Sequence, residues 1–145
     1  MSIFPVFNNE AIEEVKTETS GTKEILFDFK TKRVVIKDGK VVMASKVEAV
    51  IQWIELLIRT EVDKYNVYID TEFGLTNLYA LREHSIYESP FFIMELEREL
   101  KEKIESKSEI SLVKDISTEH NFNKLIITLT VELISGETLT SEVSV

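Results

Sequence analysis

Two histidines, His84 and His120, are the side chains best suited to hold a metal or move a proton near neutral pH. They lie in different segments, and neither belongs to a helical H-x-x-x-H or comparable ligand spacing. A metal site would have to borrow carboxylates from elsewhere, and no spacing proposes them. Two polar side chains near loops is the simpler reading. Carboxylates are abundant, with 26 Asp and Glu among 145 residues. Glycoside hydrolysis needs only two at a suitable separation, but abundance does not say which two. The densest acidic run, Glu95, Glu97, Glu99, Glu102 and Glu105, reads as a solvated helix face paired with lysines. No serine sits in a nucleophile elbow or beside a histidine. Gly21, Gly39, Gly74 and Gly136 are isolated and read as turns, so no glycine-rich phosphate cradle exists. Cysteine is absent, which excludes disulfides, thiolate zinc sites, iron–sulfur clusters and a cysteine nucleophile. These residues point to no catalytic site, no metal and no cofactor.

The elements that would position such residues belong to an ordinary globular chain. Hydrophobic residues make up 43%, enough to bury a core without staples. The net charge of −9 repels phosphate and disfavours binding to nucleic acid or to an anionic membrane. Basic residues form no stripe, and no aromatic–basic interleaving suggests base stacking. No run is long and apolar enough to cross a bilayer. Met1 to Glu14 lacks the basic start and apolar core of a signal peptide, so the expectation is a chain that stays in the cytoplasm unless a dedicated machine exports it.

Residues 1–22 read as an N-terminal arm, with Ile3, Phe4, Val6 and Phe7 around Pro5 followed by a polar, acidic stretch. Such an arm can dock on its parent domain or on a partner. Residues 23–145 read as a single α+β domain. Glu24 to Phe29, Arg33 to Ile36 and Lys40 to Met43 read as three strands, the last two joined by an Asp38-Gly39 hairpin turn. Ser45-Lys46-Val47-Glu48 is a capping-box pattern opening a helix that runs to Ile58. That helix is apolar except for a narrow stripe of Glu48, Gln52, Glu55 and Arg59, expected to face solvent.

Lys64 to Asp70 alternates like a strand or extended segment, and Leu75 to Leu81 reads as a short helix. Ser89-Pro90 starts a longer one, Ser as N-cap and Pro in the first turn, running to about Ser106. Ile93, Leu96, Leu100 and Ile104 form its buried stripe, with Glu97–Lys101 and Glu99–Lys103 as solvent-side pairs. Glu109 to Ser117, Leu125 to Ile134 and Thr138 to Val145 read as strands, the last two turning at Ser135-Gly136-Glu137. The expected fold is a small antiparallel sheet packed on a central helix and a second long acidic helix. Trp53, Tyr65, Tyr68, Phe73 and Tyr79 read as core, with an aromatic anchor patch for a partner as the alternative.

An ordered set of short features spans Leu26 to Leu81. It comprises Phe27-Asp28-Phe29-Lys30-Thr31, Asp38-Gly39-Lys40, Gln52-Trp53, Arg59-Thr60, Tyr65-x-x-Tyr68 and Phe73-Gly74. In this order and spacing the set resembles XkdS-like phage tail proteins, of the contractile-tail baseplate wedge family once labelled lysozyme-like. The C-terminal half follows the same plan: an acidic helix containing Arg98, a break, and strands with a Gly136-Glu137 turn. One departure stands out. The wider family carries Glu-Pro-Arg and an apolar residue after the long helix. The matching positions here are Lys107, Ser108, Glu109 and Ile110, so an acidic side chain replaces the arginine.

The resemblance implies a structural subunit of the inner baseplate of a contractile phage tail or tail-like particle. Its implied partners are other baseplate wedge proteins, the central hub or spike, and sheath and tube initiator proteins. It implies neither nucleic acid nor membrane. It places the chain in the host cytoplasm during assembly and in the tail particle afterwards. The alternatives are a lysozyme-like cell-wall glycosidase and a tail-assembly chaperone or adaptor. The candidate partner contacts are Ile3, Phe4, Val6 and Phe7 in the arm and Lys107, Ser108, Glu109 and Ile110 at the junction.

Overall fold

The expected capping box at Ser45 starts helix α1 (Lys46–Ile58). The Glu48 amide donates to Ser45 Oγ at 3.2 Å, and the Ser45 amide donates to Glu48 Oε2 at 3.1 Å. Val50, Ile54, Leu57 and Ile58 are buried. The computed structural model describes residues 24–84, 89–121 and 124–145, without the side chains of 81–84. The polar stripe of α1 does not simply face solvent. The Phe27 amide donates to Gln52 Oε1 at 2.9 Å, and Gln52 Nε2 donates to the Ile25 carbonyl at 3.0 Å. A primary amide offers one donor and one acceptor side by side, so it pairs with a strand edge as another strand would. Glu55 and Arg59 form the expected i,i+4 pair at 3.0 Å.

The strand that Gln52 holds belongs to a three-cornered β unit. Its pieces are shorter than expected: β1 (Phe27–Asp28) pairs with β2 (Arg33–Val34), and β3 (Ile36–Lys37) pairs with β4 (Lys40–Val41). An isolated antiparallel bridge between Ile25 and Met43 closes the third side. At the centre, the Leu26 amide donates to the Val42 carbonyl, Val42 to Val35, and Val35 back to Leu26, at 2.9, 3.0 and 3.0 Å. This cycle of three backbone bonds replaces the expected simple meander. Asp38 and Gly39 both take positive φ, 52° and 73°, the conformation a two-residue hairpin turn needs.

Between α1 and the next helix the chain is irregular. Lys64 to Asp70 is not a strand; it holds a single 3₁₀ turn at Asn66–Tyr68. Asp63, Asp70 and Glu72 at positive φ bend it repeatedly, and Asp63 Oδ1 accepts from the Asp70 amide at 3.2 Å. Apolar alternation at Tyr65, Val67 and Ile69 therefore lines no buried face, and all three are exposed. Thr60 and Leu75 tie the ends of the excursion together, with the Leu75 amide donating to the Thr60 carbonyl at 2.8 Å. The excursion then leads into α2 (Asn77–His84).

Helix α3 (Pro90–Glu105) begins with proline as expected, although Ser89 makes no side-chain cap bond. Leu96, Leu100 and Ile104 are fully buried and Ile93 partly so. The expected solvent-side pairs are absent. Glu99 is buried, and its two carboxylate oxygens accept from the Thr76 and Asn77 amides at 2.8 and 2.9 Å. Those are orphan donors at the start of α2. Lys103 reaches back instead, donating to the Glu72 and Gly74 carbonyls at 2.8 and 2.6 Å. Nor does the rest of the acidic run pair with lysines. Glu95 and Glu102 bind Arg98, Glu97 accepts from Thr118 Oγ1, and Glu105 accepts from the Val113 amide.

The C-terminal strands β5 (Ile110–Asn121), β6 (Lys124–Leu133) and β7 (Thr138–Ser144) form one antiparallel sheet in the order β5-β6-β7. Alternation on β6 is clean, burying Leu125, Ile127, Leu129, Val131 and Leu133 against both long helices. α3 lies along β5 and α1 along β7. This is the expected α+β arrangement, a small antiparallel sheet on a central helix and a long acidic helix. Trp53 and Phe73 meet edge to face at 6.1 Å and pack on the core, while Tyr65 is exposed.

Two substitutions test the irregular segment. A Cβ on Gly74, at φ +114°, would lie 2.6 Å from the Thr60 carbonyl oxygen. Gly74→Ala should therefore cost more than about 2 kcal/mol, read as a lower urea midpoint. Glu99→Ala orphans two part-buried amides and should cost about 1–3 kcal/mol, with Glu99→Gln recovering part of it because one carbonyl acceptor remains. Equal stability of Glu99→Ala and the parent in urea would refute this role.

Candidate partner interface

A three-stranded sheet has two edges, and their backbone groups need partners or water. Along β7, the bonds of Leu125 with Val145 and of Leu133 with Glu137 set the alternation. Residues 139, 141 and 143 thus point their amides at β6, and Thr138, Thr140, Glu142 and Ser144 point theirs outward. The outward residues are all exposed. One end is occupied: Arg59 Nη2 donates to the Ser144 carbonyl at 3.4 Å while its guanidinium lies 5.8 Å from the Phe29 ring centre. The stretch Thr138 to Glu142 stays open.

On the other side, β5 carries bulges between Ile110 and Leu112 and between Val113 and Asp115. Bulges twist an edge and shorten its usable length. Glu105 Oε1 takes the outward Val113 amide at 3.1 Å. Beyond the second bulge, Ile116 and Thr118 face outward by the same alternation. A groove of about 410 Å³ runs between this edge and α3, lined by Glu97, Arg98, Lys101, Val113, Lys114, Asp115 and Ile116. Its lining carries both charges, with Val113 and Ile116 as the apolar members. Among the described residues, no three His, Asp or Glu side chains converge as a metal site, and no helix is long and apolar enough to cross a membrane.

Ile3, Phe4, Val6 and Phe7 lie outside the described residues. The four junction residues are together but play different parts. Lys107 places its ammonium 4.7 Å from the Trp53 ring centre and 3.5 Å from Glu109 Oε2. Ser108 Oγ donates to the same carboxylate at 3.0 Å. Ser108 and Glu109 are exposed, whereas Ile110 is 4% exposed and belongs to the core. The surface offered at this corner is Ser108, Glu109 and the neighbouring Ile134, whose amide donates to the Glu109 carbonyl at 3.1 Å. Sequence reading missed the edge plugs, Arg59 and Glu105. Arg59 carried a partial signal in its place at the end of α1; nothing local marks Glu105 as a partner of Val113.

Two carboxyls at the surface titrate low. The Lys30 amide bonds to Asp28 Oδ1 at 2.8 Å and holds that carboxyl below the usual aspartate range. Partial burial pushes the Glu109 carboxyl up, but its own amide, the Ser108 hydroxyl and the Lys107 ammonium outweigh this and hold it low. A carboxyl with a depressed folded-state pKa adds stability that is complete above its unfolded value and is lost as pH falls through the folded value. NMR titration should find both midpoints below the ordinary values of about 3.9 for Asp and 4.3 for Glu. Ser108→Ala should move the Glu109 midpoint upward and leave Asp28 unchanged.

The contractile injection system sheath initiator family matches residues 23–136, from the start of the β unit to the turn before β7. No curated protein matches. The match agrees with the contractile-tail setting implied by the resemblance and places the structural role at the sheath. The chain therefore belongs to the contractile injection system sheath initiator family, structural components of the tail particle that interact with tail sheath and tube proteins.

Proposed function

We propose that this protein is an inner-baseplate subunit on which the sheath begins, joining wedge and hub contacts to the first sheath subunits. It works by binding, without turnover and without a cofactor. The observation that supports this reading best is the C-terminal sheet with two partly plugged but open edges, on β5 and β7. An extended segment of a sheath subunit adds to such an edge through main-chain bonds, with side chains in the α3 groove giving specificity. The Ser108–Glu109 corner is the candidate contact toward the wedge. Its acidic side chain, where the wider wedge family has arginine, calls for a basic partner surface.

The test uses proline at outward-facing edge amides. Thr140→Pro and Thr118→Pro remove an amide donor that the β6 ladder does not use, Thr118→Pro also losing the hydroxyl that bonds Glu97, and each chain should keep its circular dichroism spectrum. Particles purified from producing cells should then carry tube and baseplate with sheath reduced or missing in electron micrographs. Fully sheathed particles from both variants would sink the reading.

A further inference from the structure

The three-cornered β unit has two unlike faces. Strand alternation puts Leu26, Val35 and Val42, the residues of the central bond cycle, on one face, where they are half-buried. On the other face lie the cross-strand pairs Phe27–Val34, Ile36–Val41 and Ile25–Met43. Neighbours in strand and neighbours across strands alternate around the unit, so these six side chains form a closed apolar ring. The ring is open to solvent: Ile36 is 65% exposed, and Ile25, Met43, Val41 and Val34 lie between 41% and 48%. None of the six belongs to the main core or packs directly on it.

Around the ring the charge is reversed relative to the rest of the chain. Lys30, Lys32, Arg33, Lys37 and Lys40 are exposed there, against Glu24, Asp28 and Asp38, in a chain of net charge −9. An apolar ring with a cationic rim fits a segment that is apolar and acidic. The sequence just before Glu24 is apolar and net acidic: Ile3, Phe4, Val6 and Phe7, then Glu10, Glu13, Glu14 and Glu18 against Lys16 and Lys23. The tether is sufficient. Glu24 is itself at the ring, its carbonyl accepting from the Ala44 amide. The residues between Phe7 and Glu24 reach roughly 50 Å when extended, far more than the unit's width.

We propose that Ile3, Phe4, Val6 and Phe7 of the same chain cover this ring, with the following glutamates over its lysine rim.

The absence of cysteine makes a direct test possible. The double variant Phe4→Cys, Ile36→Cys is compared in the full-length protein with Phe4→Cys, Glu119→Cys, whose second site lies on the far edge strand β5. Under mild oxidation, the ring pair should form an intramolecular disulfide at least roughly tenfold faster than the β5 pair, reflecting a higher effective concentration. Adding Val41→Glu to the ring pair should remove the advantage, and high salt should reduce it. Equal rates at the two positions would overturn the proposal. So would disulfides formed only between chains, which would make a second copy the occupant.

Discussion

Helix α3 holds the molecule together through two charged side chains one turn apart. Glu99 takes the first amides of α2, and Lys103 takes the carbonyls of Glu72 and Gly74 just before it. The segment between Thr60 and Asn77 has little regular structure of its own, so its polar backbone would be costly to bury without these partners. With them in place, Leu75 and Leu78 enter the core beside Ile58 and Leu100. The anion meets the positive end of α2 and the cation meets carbonyls, so each charge is spent on the backbone dipoles it matches. That fixes α3 relative to α1, and the two helices together form the floor on which the C-terminal sheet lies.

Features that rest on local stereochemistry were legible in the sequence. The Ser45–Glu48 box, the Asp38-Gly39 turn, proline at the start of α3 and the alternation of β6 all appear where the residues place them. Features that rest on a distant partner were not. Glu99 and Lys103 are four residues apart and match the pattern of a surface ion pair; only the presence of α2 some 23 positions earlier makes one of them a cap. Gln52 likewise sits in a polar stripe until a strand edge arrives to use its amide. Lys64 to Asp70 misled for another reason. Its alternation is real, but Asp63, Asp70 and Glu72 in the left-handed region keep the chain from extending. Of the candidate contacts at the junction, Ser108 and Glu109 are exposed, whereas the apolar member, Ile110, turns inward to the core.

The fold divides its backbone between two uses. The N-terminal β unit directs its central bonds inward in a closed cycle and leaves only two- or three-residue edges outside. The C-terminal sheet keeps longer edges. An exposed long edge invites aggregation. Short strands at one end and plugged strands at the other limit the length of edge left open.

The two plugs lie at opposite ends of the sheet. Val113, held by Glu105, is level with Val131 and Leu139, whereas Ser144, held by Arg59, is level with Ile126 and Glu119. The stretches left open on the two edges are therefore offset along the strand axis, one toward the Thr118 end and the other toward the Thr138 end. Two side chains at diagonal corners thus act as rulers. They set where each edge stops, so the two open stretches of the sheet lie on a diagonal rather than side by side.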